Sequence, residues 1–275
     1  MFASAELAAH IDSAEGRLCA DIVRASTDNT TSRSLVTPLA GGVVVYAGPG
    51  SPMNKGIGLA ITEALEEAPL AAVEDTWRDR QEPMRIELSA LARPEAATLL
   101  TGRGYRLIGF ENQLGCALQE WSDAGFGPEI IVESLTAVDE KLWRDVTVDG
   151  FAHPDESPTA HEIFPREVLD AIFMTLGRTS GFRRYVARID GVVAGSASLR
   201  IDGDIAQLAG AATLPAFRRR GVQTALLRHR LREARDAGCT LSVVTTAPGS
   251  TSQANVQRRG FALLYTRAIL VKSPA

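Results

Sequence analysis

The residues best suited to chemistry are Arg218, Arg219, Arg220, Gly221, Val222, Gln223 and Thr224. They follow a strand-like run that ends at Pro215 and open a helical pattern in which no Ser, Asp or Asn stands as a cap. An uncapped helix start leaves several backbone N–H groups without partners, and the helix dipole adds partial positive charge there. Gly221 lets a ligand come close to the backbone, and the arginines add full charges. The combination predicts a pyrophosphate site that needs no Walker-type lysine. Gly50, Ser51, Pro52, Met53, Asn54 and Lys55 form a second polar cluster, but it lacks the Gly-Lys-Ser/Thr ending of a phosphate loop. It reads as a surface turn, with a place in a substrate cleft as the alternative.

His153, Asp155, Glu156, His161 and Glu162 crowd one polar loop, where they could take a proton from an amine or attract a cation. Their spacing matches no metal-ligand pattern, so no metal is expected. His10 and His229 read as ordinary helix residues. Cys19, Cys116 and Cys239 lie too far apart for a disulfide framework or paired metal ligands. Each reads as a small buried filler rather than a nucleophile, and a reducing cytoplasm is the expected home.

The elements that must position these groups fall into two halves. In the first, apolar Leu7, Ile11, Leu18 and Ile22 predict a helix over 4–27, followed by strands at 43–46 and 56–62. A helix at 69–80, a strand at 84–88, a helix at 94–101 and a strand at 105–118 complete it. The turn-rich segment 121–128 reads as a linker. The second half predicts a strand at 130–135, helices at 139–151 and 166–176, and strands at 185–189 and 192–201. Asp190-Gly191 joins those two strands as a tight hairpin. A strand at 205–213, a helix over 221–237, a strand at 241–245, a helix at 252–259 and strands within 261–271 follow. On the long helix, Val222, Leu226, Leu227, Leu231 and Ala234 are expected in the core. Arg228, Arg230, Arg232, Glu233, Arg235 and Asp236 are expected in solvent. Both halves end in helix, glycine, aromatic and strand, at Gly104-Tyr105 and Gly260-Phe261, which points to a tandem duplication.

The chain has 275 residues, 45% hydrophobic and 23% charged, with a net charge of −4. That is a globular composition and argues against bulk nucleic-acid binding. No apolar run is long enough to cross a bilayer, so no membrane association is expected.

The run from Thr213, Leu214 and Pro215 through Arg218, Arg219, Arg220 and Gly221 resembles the signature of the GNAT (Gcn5-related N-acetyltransferase) superfamily. Gln223 stands where that signature usually has its last small residue. The segment from Thr245 through Ser252, Gln253, Ala254 and Asn255 to Gly260-Phe261 is similar to the family's closing strand, helix and Gly-Phe junction. The resemblance is clear over 129–275 and faint over 1–118. It implies an α+β fold of two GNAT-like domains, each a mixed, mostly antiparallel sheet flanked by helices. Residues 1–120 would be a degenerate copy, and 129–275 the acetyltransferase domain. Glu63, Glu66 and Glu67 would repel phosphates in the first copy. The implied cosubstrate is acetyl-coenzyme A, and the implied acceptor is a primary amine of a small molecule or peptide. The resemblance implies cofactor contacts at Ala211, Ala212, Thr213, Arg218, Arg219, Arg220, Gly221, Val222, Gln223 and Thr224. Ser252 and Asn255 would join them, with helix capping by Ser250 or Ser252 as the alternative. The Ala211 N–H would hold the oxyanion, beside a slot kept open by Ala209, Gly210, Ala211 and Ala212. Val256 stands where the family commonly has a tyrosine acid, so no general acid or base is assigned. A protein that binds coenzyme A without turnover is the competing expectation. Oligomeric state is left open.

Overall fold

The computed structural model describes residues 3–25, 35–123, 130–153 and 165–274. Two compact units divide the chain, one of Met1–Gln113 with Leu263–Ala275, the other of Leu114–Ala262.

The first unit opens with α1 (Ala5–Ala25), then strands β1 (Leu35–Leu39), β2 (Gly42–Tyr46) and β3 (Lys55–Ile57). Helix α2 (Glu67–Arg78), β4 (Met84–Ser89), α3 (Pro94–Gly102) and β5 (Arg106–Ala117) follow. β1, β2 and β3 pair antiparallel in turn, whereas β3 and β4 run parallel through Gly56↔Ile86 and Ile57↔Glu87. Leu39, Val44, Leu70, Trp77, Ile86, Leu100 and Tyr105 build the core. β1 was not expected from the sequence, where Pro38 argues against a strand; it sits at the sheet edge, where a missing donor is tolerated. β3 stops at Ile57, short of the expected 62, because Gly58 and Ala60 turn the chain with positive φ.

The second unit begins within β5 at Leu114 and continues through β6 (Ile131–Leu135), α4 (Glu140–Ala152) and α5 (Arg166–Leu176). β7 (Phe182–Ile189), β8 (Val192–Asp202), β9 (Ile205–Thr213), α6 (Val222–Asp236), β10 (Leu241–Thr246) and α7 (Thr251–Gln257) complete it. β6 to β9 form an antiparallel meander, and β10 pairs parallel with β9. Asp190 and Gly191 both take positive φ between Ile189 and Val192, as a two-residue hairpin of this kind requires.

The last strand, β11 (Ala262–Lys272), returns to the first unit and pairs antiparallel with β4 from Arg267↔Ser89 to Lys272↔Met84. The expected boundaries, 1–120 and 129–275, therefore differ from the compact units. Local pattern shows a strand but not its partner, and β11 pairs with β4 roughly 180 residues upstream.

The expected duplication has a structural counterpart. Each half of the sequence runs strand, helix, parallel strand, helix, strand: β3-α2-β4-α3-β5 and β9-α6-β10-α7-β11. The junctions match in detail. Gly104 and Gly260 take φ of 90° and 93°. Tyr105 N donates to Leu100 O at 3.1 Å, and Phe261 N to Val256 O at 3.2 Å, the same six-to-one closure of a helix end.

Candidate active site

The candidate site of the second unit lies where β9 and β10 part. Their parallel pairing covers Leu241↔Ile205, Ser242↔Ala206 and Val243↔Gln207 and goes no further. β9 nevertheless continues to Thr213 and β10 to Thr246, so Leu208–Thr213 run on unpaired on that side. Ala209, Gly210 and Ala211 along this opening are half-exposed. Small side chains leave the space between the strands free.

The same stretch is bulged on its other side. Against β8, Ser196 faces Ala212 and Ser198 faces Ala209, so Gly210 and Ala211 together oppose Ala197. Two residues against one define a β-bulge, which disrupts the ladder and leaves the extra residue unpaired. Gly210 takes φ of 56°, a conformation that glycine adopts without strain. A Cβ there would also come within 3.2 Å of both Phe173 and the Ser198 hydroxyl.

Beyond Thr213 the chain makes a short 3₁₀ turn, Pro215–Phe217, and enters α6 at Gly221. Gly221 is the N-cap, with φ of 88° and no side-chain cap. The first intrahelical bond, Ala225 N to Gly221 O at 3.0 Å, leaves the N–H groups of Val222, Gln223 and Thr224 as the helix's unsatisfied donors. Arg219 holds φ of 59°, a strained value for a non-glycine residue. The turn thus leaves backbone donors without helical partners at the start of α6.

The arginines, expected as one cluster, have separate surroundings. Arg218 donates to the His153 carbonyl at the end of α4. Arg220 lies 3.8 Å from Asp190 and stacks over Phe217, with its centre 5.5 Å from the ring. Asp190 is almost fully exposed, so this pair is weak and exchangeable. Gln223 folds back, its amide donating to Thr213 Oγ1 at 3.1 Å. That contact moves its side chain onto the end of β9.

Ser250, rather than Ser252, caps α7. It is buried, and its hydroxyl accepts from Gln253 N at 3.1 Å, while Gln253 Oε1 accepts from Gly249 N at 2.7 Å. Ser252 is exposed, and Asn255 accepts from Arg258 at 3.0 Å. Replacing Ser250 by Ala is expected to cost about 1 kcal/mol, the usual weight of a cap. Urea unfolding of the parent and the variant would measure it.

Arg230 departs from expectation. It is buried, with Nε donating to Leu226 O at 3.2 Å and an Nη donating to Ser198 O at 3.1 Å. Burial pulls its pKa down to about 10. Arg228 and Arg232 are not simply solvated, since both hold Asp123, a residue expected in a linker. Their bonds keep the Asp123 carboxyl below its ordinary range. Val256 is buried in the core and offers no proton. His153 is exposed, its Nδ1 2.8 Å from Asp149 O; Asp155, Glu156, His161 and Glu162 lie outside the described residues. The thiols are buried, and burial raises Cys19 to about 12 and Cys116 to about 11, values unsuited to a thiolate nucleophile.

Residues 142–261 match the model of the acetyltransferase (GNAT) family. This stretch is a GNAT domain. The family's acetyl donor is acetyl-coenzyme A. Solved structures extend the likeness to nearly the whole chain. A GCN5-related N-acetyltransferase from Kribbella flavida is 18% identical, with a TM-score of 0.68 over 98% of this chain and 96% of that one. A tandem GNAT protein from the clavulanic acid biosynthesis pathway is 14% identical, with a TM-score of 0.58 over 98% and 97%. A GCN5-related N-acetyltransferase from Sphaerobacter thermophilus is 14% identical, with a TM-score of 0.58 over 75% and 67%. No curated protein sequence matches the chain. The GNAT domain thus sits in a chain with a tandem GNAT fold. No helix among the described residues is long and apolar enough to cross a membrane.

Proposed function

We propose that the GNAT domain transfers the acetyl group of acetyl-coenzyme A to a primary amine of a small molecule or peptide. One observation carries the reading: the β9–β10 opening, the β9 bulge and the uncapped start of α6 lie in succession along 208–224. The opening has the form needed to admit a narrow pantetheine arm. The free N–H groups of Val222, Gln223 and Thr224 suit a pyrophosphate, with Arg218, Arg219 and Arg220 beside them. Ala212 and Thr213 lie on the path between the two.

In this reading the Ala211 N–H donates to the thioester oxygen, and its bond strengthens as negative charge gathers there. The amine nitrogen forms the new C–N bond, the C–S bond breaks, and coenzyme A leaves as a thiolate. Water carries away the ammonium proton and protonates the thiolate, because Val256 supplies no acid. Ser252 and Asn255 remain candidates beside the cofactor; exposed Ser252 is the better placed, since Asn255 already holds Arg258. The buried, unbridged thiols support a reducing cytoplasm as the location.

The first unit is proposed as a degenerate GNAT-like copy that does not hold coenzyme A. Its helix α2 starts beside Glu66 and Glu67 instead of arginines, and Arg93 ties the turn before it through Ala60 O and Thr62 O.

Calorimetric titration of the full chain with acetyl-coenzyme A and with free coenzyme A tests the reading, followed by thiol release across a panel of primary amines. Binding with turnover supports transfer, binding without turnover on any amine favours a coenzyme A-binding protein, and no binding overturns both.

A further inference from the structure

The bulge on β9 has supports that come from side chains rather than from the ladder. Opposite it stands Ala197, whose carbonyl accepts from Trp143 Nε1 at 3.1 Å. The next carbonyl of β8, Ser198 O, accepts from the buried Arg230 at 3.1 Å. Across the gap, the Ser198 hydroxyl donates to Ala209 O at 2.8 Å, on the residue just before the bulge. A bulge removes regular strand bonds, and a buried carbonyl without a donor is costly. Each of these three side-chain bonds falls on a carbonyl bordering that gap.

Trp143 itself is rigidly held. It is fully buried, in edge contact with Phe173 at 5.7 Å and Phe182 at 5.4 Å. Its own carbonyl accepts from Thr147 Oγ1 at 2.7 Å, and that hydroxyl lies 2.8 Å from Ser196 Oγ on β8. Phe173, which packs on Trp143, also lines the space at Gly210. One helical turn of α4 is therefore anchored to β8 at the residue opposite the bulge and at the one before it. An indole N–H this deep needs an acceptor, and a lone core tryptophan could have found one elsewhere.

We infer that Trp143, with Ser198 and Arg230, is a positioning residue that fixes the β8–β9 bulge and thereby aims the Ala211 N–H. Its purpose rests on the acetyl-transfer reading above; the geometric part does not. None of the three side chains is required to touch the substrates. They act on the backbone that does.

The test uses the full-length protein and its Trp143→Phe variant, which keeps an aromatic ring and loses the N–H. Two signals are followed: amide exchange at Ala211 in the free protein, and the carbonyl ¹³C resonance of bound [1-¹³C]acetyl-coenzyme A. In Trp143→Phe, exchange at Ala211 is expected to quicken about fivefold, the weight of one ordinary buried hydrogen bond. The bound carbonyl resonance should move at least about halfway back to its free position as the polarising bond weakens. Free coenzyme A, which has no carbonyl for Ala211, should bind within about twofold of the parent because the cradle is a separate site. Leu231→Val, a core change on α6, serves as the stability control and should leave the carbonyl resonance in place. Parent-like exchange and resonance in Trp143→Phe would overturn the inference. If Trp143→Phe does not fold, Ser198→Ala is read by the same signals with the same expectations. If the parent fails to bind acetyl-coenzyme A, the transfer reading falls, while Ala211 exchange still decides whether Trp143 holds the bulge.

Discussion

The Arg220→Glu, Gly221→Glu double variant is expected to bind acetyl-coenzyme A at least about a hundredfold more weakly than the parent, or roughly 2.7 kcal/mol. The argument is electrostatic first. The change replaces one positive charge and one neutral residue with two negative charges at the mouth of α6, where the helix's unsatisfied donors point. At an effective dielectric suited to protein surfaces, unit charges about 4 Å apart interact by about 4 kcal/mol, so one repulsive contact suffices. Conformation adds to it, since Gly221 holds φ of 88° and any side chain there is strained. Space does not forbid the variant: a Cβ at Gly221 would meet Ile130 at an ordinary 3.6 Å. Circular dichroism should therefore stay close to that of the parent. Charge reversal at exposed Arg235, in the last turn of the same helix, should change affinity less than about threefold, because screening and distance remove its influence. Parallel calorimetric titrations would decide. Parent-like affinity in the double variant would show that the cradle lies elsewhere.

The second large effect is expected in the first unit. Arg267, fully buried, donates to Asp12, Glu15 (2.8 Å) and Glu111 (2.9 Å). Lys55 completes the network, bonding Glu15 at 2.6 Å and Glu87 at 2.9 Å. Arg267→Met leaves those carboxylates buried without their main cation, at a cost of about 3–5 kcal/mol. The loss should depend on pH. Burial, with repulsion from Glu87, raises Glu111 from an ordinary 4.5 to about 7. A raised carboxyl binds its proton more tightly folded than unfolded, so its contribution falls as pH rises from 4.5 through about 7. Glu15 acts in the opposite sense. Although burial raises it, Arg267 and Lys55 hold it at about 2, so its stabilisation is present above 4.5 and fades as pH falls towards 2. The parent's first unit should therefore be steadiest near pH 5. In Arg267→Met the deficit should be smaller at pH 5 than at pH 8, because the abandoned carboxyls take up protons at the lower pH. Urea unfolding at the two pH values would measure it, and an equal deficit at both would contradict the assignment.

Much of the site was legible because its signals are local. The basic turn, the missing cap at Gly221 and the Asp190-Gly191 hairpin each depend on residues next to one another, where backbone preference decides. Long-range partners were invisible. The amphipathic pattern of α1 put Leu7 and Leu18 with Ile11 in one apolar stripe; instead Asp12 is buried and both leucines are only half-buried. Asp12 turns inwards because Arg267 and the Tyr265 hydroxyl meet it there, more than 250 residues later in the chain. Charge alone places Arg230 in solvent, and nothing near it in sequence announces the Ser198 carbonyl that receives it. The bulge left one trace, a glycine among alanines at 210. Trp143 left none, since a tryptophan in an apolar helix face reads as core whether or not its N–H is aimed.

β11 also sets an order on how this protein can be made. A ribosome extrudes Met1–Gln113 first, yet that unit lacks one strand of its sheet, and Arg267 with it, until Leu263 and its successors emerge. The nascent first half must wait through 149 residues of the second unit, Leu114–Ala262, with the β4 edge unpaired and Asp12, Glu15 and Glu111 without Arg267. The GNAT domain can close while that wait continues. Synthesis thus begins with the half that finishes last, and a nascent chain stalled before residue 263 would expose an open strand edge for a chaperone to shield.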